Sequence, residues 1–171
     1  MSTYKQSIPQ ADTLMGSMRS MGYSFEAAIA DVIDNSISAN CNVVKLFFPS
    51  EPTDELVVGI LDDGEGMPAD VLFEAMRYGS TDSELERRAN DLGRFGLGMK
   101  SASLSQCRIL TVVSLYADKL SSYSWDFNCI QKRKEWIVKE LSQKEIKALP
   151  YIDPLLEFPH GTLVLWQDFD V

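Results

Sequence analysis

The chain has 171 residues, enough for one domain with its own core; 45% are hydrophobic and 24% charged, an ordinary balance for a globular protein. Its net charge of −9 argues against a direct grip on nucleic acid by this domain, which would need Lys and Arg against the phosphates, but it leaves room for a nucleotide held by backbone N–H groups and a metal ion. No apolar run approaches the roughly 18 residues that span a bilayer, the N-terminus lacks an apolar signal core, and Cys41, Cys107 and Cys129 have no metal-type spacing, so the sequence predicts a cytoplasmic protein with reduced thiols and no membrane partner.

"ADTLMGSMRSMG" (11–22) reads as a short helix ended by Gly22. Ser24 is an N-cap for a second helix running to about Ala39. Wound at 100° per residue, that helix puts Ala28, Ile29, Val32, Ile33 and Ile37 on one side and Asp31, Asn35 and Ser38 on the other. "VVKLFF" (43–48) is a predicted strand closed by Pro49, and "ELVVGILDDG" (55–64) a strand running into a glycine turn. "PADVLFEAMRYG" (68–79) is a helix with Pro68 at its start and Gly79 past its end. The polar, charged run 80–96 reads as a mobile loop, and "LGMKSASLSQ" (97–106) starts another helix.

Two β-rich runs, 108–116 and 120–127, are joined by the turn "ADK". Residues 135–141 are predicted as a strand, 143–152 as a short helix and "GTLVLWQDF" (161–169) as the closing strand. "QKRKE" (131–135) reads as a solvated face or turn, and Trp125, Trp136 and Trp166 as core. Helices mixed with antiparallel strands predict an α/β two-layer sandwich.

Three stretches carry chemistry. Asp31 and Asn35 are an i, i+4 pair and therefore neighbours on the helix surface. In "LDDGEGMP" (61–68) a buried strand delivers Asp62 to the edge of the core, followed by Gly64 and Gly66, whose bare backbone would let a flat group approach. "GRFGLGMKSAS" (93–103) has the glycine spacing of a P-loop, but Met99 stands where the lysine belongs and the polar run before Gly93 is no buried strand. A dinucleotide fingerprint fails on the same context. What remains is a glycine loop leading into a helix N-terminus, with exposed N–H groups, a helix dipole and Lys100 as a point charge. His160, the single histidine, lies in a turn and reads as structural.

In this order and spacing, "DVIDNSISA", "DDGEGM", "GRFGLGMKSA" and the "GT" of "HGTLVLW" resemble the four nucleotide-binding boxes of the GHKL ATPases: gyrase, the large heat-shock chaperones, histidine kinases and MutL. "GYSFEAAIADVIDNS", "RYGSTDS" and "GRFGLGMKSAS" are most similar to the microrchidia (MORC) branch and its bacterial relatives. The resemblance implies a Bergerat-type fold over 1–171, with a mixed, mostly antiparallel sheet covered on one face by helices and a lid at about 79–98. It implies ATP or ADP with Mg²⁺ as ligands. Asn35 would hold the metal, Asp62 would accept from the adenine amino group, and Thr162 would help hold the same edge. Ala39, Gly64, Gly66 and Met67 would line the base pocket. Gly96, Leu97, Gly98 and Met99 would offer N–H groups to the phosphates, with Lys100 adding charge.

The sequence departs from the family at Asp31, where many members have Glu as the base that activates water, and at Ser38, where Asp is common. The shorter Asp31 predicts slow hydrolysis. The implied function is slow, Mg²⁺-dependent ATP hydrolysis, with lid closure and a homodimer when ATP is bound. The chain would be the N-terminal piece of a longer protein, with DNA reached only through other domains. A regulatory ATP/ADP-binding module with negligible hydrolysis is the alternative; a histidine-kinase-type catalytic domain ranks below both, because the asparagine helix resembles the chaperone and MutL type and the only histidine is in a turn.

Overall fold

A computed structural model describes residues 1–20, 22–52, 55–77 and 97–169, with side chains in the last stretch from Lys100 onward. The first helix, α1 (Ala11–Arg19), places an acid, Asp12, in its first turn and Arg19 in its last, as the helix dipole favours. Helix α2 (Phe25–Ser38) is capped by Ser24, whose Oγ accepts from the Ala27 amide at 3.1 Å. Strands β1 (Val44–Phe47) and β2 (Val58–Asp62) follow, then α3 (Ala69–Met76), which starts directly after Pro68. Helix α4 (Leu97–Gln106) runs straight into β3 (Cys107–Tyr116). Ala117 and Asp118 both take left-handed φ, the backbone of a two-residue hairpin turn, and return the chain as β4 (Lys119–Asp126). Helix α5 (Phe127–Arg133), β5 (Lys139–Glu140), α6 (Gln143–Lys147), α7 (Ile152–Leu156) and β6 (Gly161–Phe169) complete the described chain.

The strands form one sheet in the order β1-β2-β6-β3-β4-β5. Every pairing among the described strands is antiparallel, so the expected mixed sheet is antiparallel throughout. Strand side chains alternate between faces. On one face Val58 and Ile60 of β2, Val164 and Trp166 of β6, Leu110 and Val112 of β3, and Trp125 of β4 join residues of α1 to α5 in the larger core. On the other, Leu61, Val113, Leu163 and Leu165 pack with Ile146 of α6 and with Ile152 and Leu155 of α7. The sandwich is as the sequence predicts, but helices cover part of the second face too.

Several boundaries differ for identifiable reasons. Asp126 ends β4 by accepting from the amides of Asn128 and Cys129, and this cap starts α5, so the basic run 131–135 begins inside a helix. The predicted strand 135–141 contracts to two paired residues. The predicted helix 143–152 stops at Lys147, and a second short helix runs on from Ile152 after Tyr151, whose left-handed φ marks its N-cap. Trp125 and Trp166 are core, but Trp136 is 36% exposed and lies edge-on to Trp125. Ile37, expected on the apolar side of α2, is 57% exposed near the end of that helix.

Candidate functional site

The polar end of the larger core opens into a cleft between α2, the turn after β2 and the start of β6. Val32, Ala39, Met67 and Val164 supply apolar walls; Asn35, Ser36, Asp62 and Thr162 supply polar groups, with Gly66 at the rim. The lining is that of a small-molecule site, mostly apolar with a few convergent polar groups.

Asp62 lies at the base, 5% exposed. It is the last residue of β2 and stands directly across from Thr162 of β6, which in turn stands across from Ser114 of β3. Three adjacent strands thus end in a polar rung on the cleft face. Asp62 Oδ2 accepts from Ser36 Oγ at 2.7 Å, and Oδ1 from the Gly64 amide at 2.9 Å. Burial raises its pKa above the ordinary carboxylate value, while the Ser36 hydroxyl and the backbone of Gly64 and Thr162 pull the other way. A carboxylate has about four lone-pair sites; the Ser36 hydroxyl and the Gly64 and Thr162 backbone donors leave capacity for one ligand N–H.

The turn that carries Asp62 is stitched down residue by residue. Asp63 Oδ1 accepts from the amides of Asn42 at 2.7 Å and Val43 at 2.9 Å. The Val43 bond is the largest cause holding the Asp63 carboxyl below its usual range. The Glu65 amide donates to Ala39 O at 2.9 Å, and Asn40 Nδ2 donates to Glu65 Oε1 at 2.8 Å. His160 Nδ1 donates to Gly64 O, which fixes the proton on that nitrogen because a carbonyl only accepts. The Met67 amide donates to Ser114 Oγ at 2.7 Å. The glycines serve this packing: a Cβ at Gly64 would meet Ala39 Cβ at 2.8 Å, and one at Gly66, whose φ is +70°, would overlap the Leu115 carbonyl. Their smallness is required by these protein neighbours, and Gly66 also lines the cleft.

Asn35, Ala39, Asp62, Gly66, Met67 and Thr162 therefore come together around one cleft, with Gly64 behind its base. Asp31 is half-buried one turn before Asn35 and is not among the lining residues. Ser38 Oγ, three residues after Asn35, is buried with no hydrogen-bond partner among the described residues. Gly96 lies outside the described residues; Leu97, Gly98 and Met99 open α4, with side chains outside the description. Lys100 does not line the cleft. It is 3% exposed, and its Nζ donates to Ala75 O at 2.9 Å and to Arg77 O, at the C-terminal end of α3.

Sequence reasoning missed Ser36, Val32, Val164, Ser114 and the bond made by His160. The signal for Ser114 was available: it interrupts the apolar alternation Leu110, Val112 on one face of β3. Ser36 hides because it sits beside the apolar stripe of α2, where an amphipathic reading expects packing alone.

A family model described as "Histidine kinase-, DNA gyrase B-, and HSP90-like ATPase" matches residues 23–162. The chain belongs to that family. No curated protein matches it. The match covers every cleft residue but Val164, from α2 to Thr162, and makes the chain an ATP-binding module of the GHKL type. The residues present fit an adenine nucleotide: a buried acceptor at the base, apolar walls for a ring, and an amide at Asn35 with an oxygen hard enough for Mg²⁺. Among the described residues no helix is long and apolar enough to cross a membrane.

Proposed function

We propose that this GHKL domain, of the MORC-like branch, binds ATP and ADP with Mg²⁺ and hydrolyses ATP slowly. Asp62 accepts from the adenine amino group with its remaining lone pair, and Thr162 helps hold the same edge through water. Guanine would present its O6 acceptor there, and two acceptors repel. Ala39, Gly66 and Met67 enclose the ring. Asn35 would offer its amide oxygen to Mg²⁺, which would supply positive charge against the phosphates. The backbone N–H groups of Leu97 to Met99, opening α4, with that of Gly96 before them, would be offered to the phosphates. Asp31 takes the proton of the attacking water. Closure of residues 79–98 and pairing of two ATP-bound copies would couple the cycle to a longer, cytoplasmic protein, with any DNA engaged by its other domains.

The observation that carries this reading is the buried Asp62, held by Ser36 and Gly64 at the base of a cleft that also presents Asn35. Calorimetric titration with ATP and GTP in Mg²⁺ tests it. Wild type should take up ATP and reject GTP, and Asp62→Asn should lose about 10–100-fold in ATP affinity, the worth of one hydrogen bond to a charged group. Equal uptake of both nucleotides sinks the adenine assignment.

One observation favours the alternative, a regulatory module without hydrolysis: Asp31 is one methylene shorter than the usual glutamate and stands outside the cleft lining. Single-turnover phosphate release separates the two readings. Asp31→Asn should slow release by about 10²–10⁴-fold if Asp31 is the base, and should change nothing if the module only binds.

A further inference from the structure

Lys100 is a buried cation that the cleft does not use. It is 3% exposed on the first turns of α4, with its ammonium on the carbonyls of Ala75 and Arg77. The carbonyl between them, Met76 O, is taken by Trp125 Nε1 at 2.6 Å. Three consecutive carbonyls at the end of α3 are thus met by side chains from α4 and β4. A helix C-terminus leaves such carbonyls without intrahelical partners and favours a positive charge beside them. Buried lysines need partners of this kind. The ammonium therefore ties α3 to α4 at a point one turn from the start of α4.

We propose that Lys100 is a positioning residue for the phosphate end of the nucleotide, acting as a clasp between α3 and α4 and not as a phosphate ligand. The proposal rests on the reading that the N–H groups opening α4 face the phosphates. Those N–H groups have no side chain to adjust their aim, so the direction of α4 sets it. Lys100 fixes that direction through the end of α3, while the adenine end is held independently by Asp62, Ser36 and the turn after β2.

The test combines thermal unfolding of the nucleotide-free protein with calorimetric titration by adenosine, ADP and ATP, on wild type, Lys100→Met and Lys100→Arg. Lys100→Met keeps the length and loses the donors, so the nucleotide-free Tm should fall by about 4–10 °C. Adenosine affinity should stay within about twofold, and ATP affinity should fall about tenfold or more. Lys100→Arg, which can still donate to carbonyls, should recover most of both losses; where the methionine variant does not fold, the arginine variant is scored alone, with Tm and ATP affinity near wild type expected.

An unchanged nucleotide-free Tm with lost ATP affinity in either variant overturns the clasp and makes Lys100 a direct ligand. A fall in Tm with equal loss, or no loss, for adenosine and ATP overturns positioning and leaves a structural cap. Wild-type protein that binds no ATP overturns the nucleotide reading and positioning with it, and is distinguishable because the Tm arm needs no nucleotide.

Discussion

At the scale of single residues, two neighbouring carboxylates are driven in opposite directions. Burial raises the Asp62 pKa, so the stability it contributes is fully present below the unfolded carboxylate pKa and is lost as pH rises through the raised folded value. Nucleotide affinity runs the other way, because the ionised form is the better acceptor. Calorimetry from about pH 7 down to about pH 4 should show ATP binding weaken as the pH falls through the Asp62 transition, and weaken less in Asp62→Asn. Ser36→Ala removes a buried donor from Asp62 Oδ2 and should cost about 1–3 kcal/mol in urea unfolding. It should also push the carboxyl pKa further up, since that hydroxyl favours the charged form. The three thiols are all pushed up, Cys41 and Cys107 first by burial and Cys129 by Asp126, and they differ in access: Cys107 is buried, at about 12, so a thiol reagent should label Cys129 and Cys41 and reach Cys107 only on unfolding.

Among the elements, the turn 62–67 is where backbone and site meet. Gly66→Ala places a Cβ on the Leu115 carbonyl and forces a left-handed φ on alanine, so it should destabilise by about 1–3 kcal/mol and weaken ATP together with stability. Asp63 has its pKa lowered first by the Val43 amide; its contribution is present above the unfolded carboxylate pKa and is lost as pH falls through the lower folded value. Hydrogen exchange at Asn42 and Val43 should therefore gain protection less than neighbouring amides do as the pH is brought down into that range.

Much of this level was legible in the sequence, because Ser24, Pro68 and the "ADK" turn are local signals that tertiary structure had no reason to override. Helix α5 was not, since its start depends on Asp126 being read as a cap and not as the end of a strand. The bonds of Ser36, Ser114 and His160 were not either. Each joins residues at least 26 positions apart, and no spacing along the chain announces such a pair.

For the molecule as a whole, the two faces of the sheet divide the labour. Ile146, fully buried against the second face, belongs to a cluster of which no member lines the cleft. Ile146→Ala should cost about 2–5 kcal/mol in denaturant unfolding while leaving ATP affinity within about twofold, since distant sites act independently. A parallel loss of affinity would mean that the second face tunes the first. The strand order has a different consequence. β6 is the last described strand in the chain, yet it lies between β2 and β3, and it brings Thr162 to the rung that Asp62 and Ser114 complete. A nascent chain that has emerged only as far as about residue 160 has two bare strand edges facing each other and no pocket floor. Such edges recruit strands from other chains. Synthesis of this domain therefore passes through an interval of aggregation risk that closes only when its final hydrophobic run slides into the gap, and nucleotide can act as a folding ligand only after that insertion.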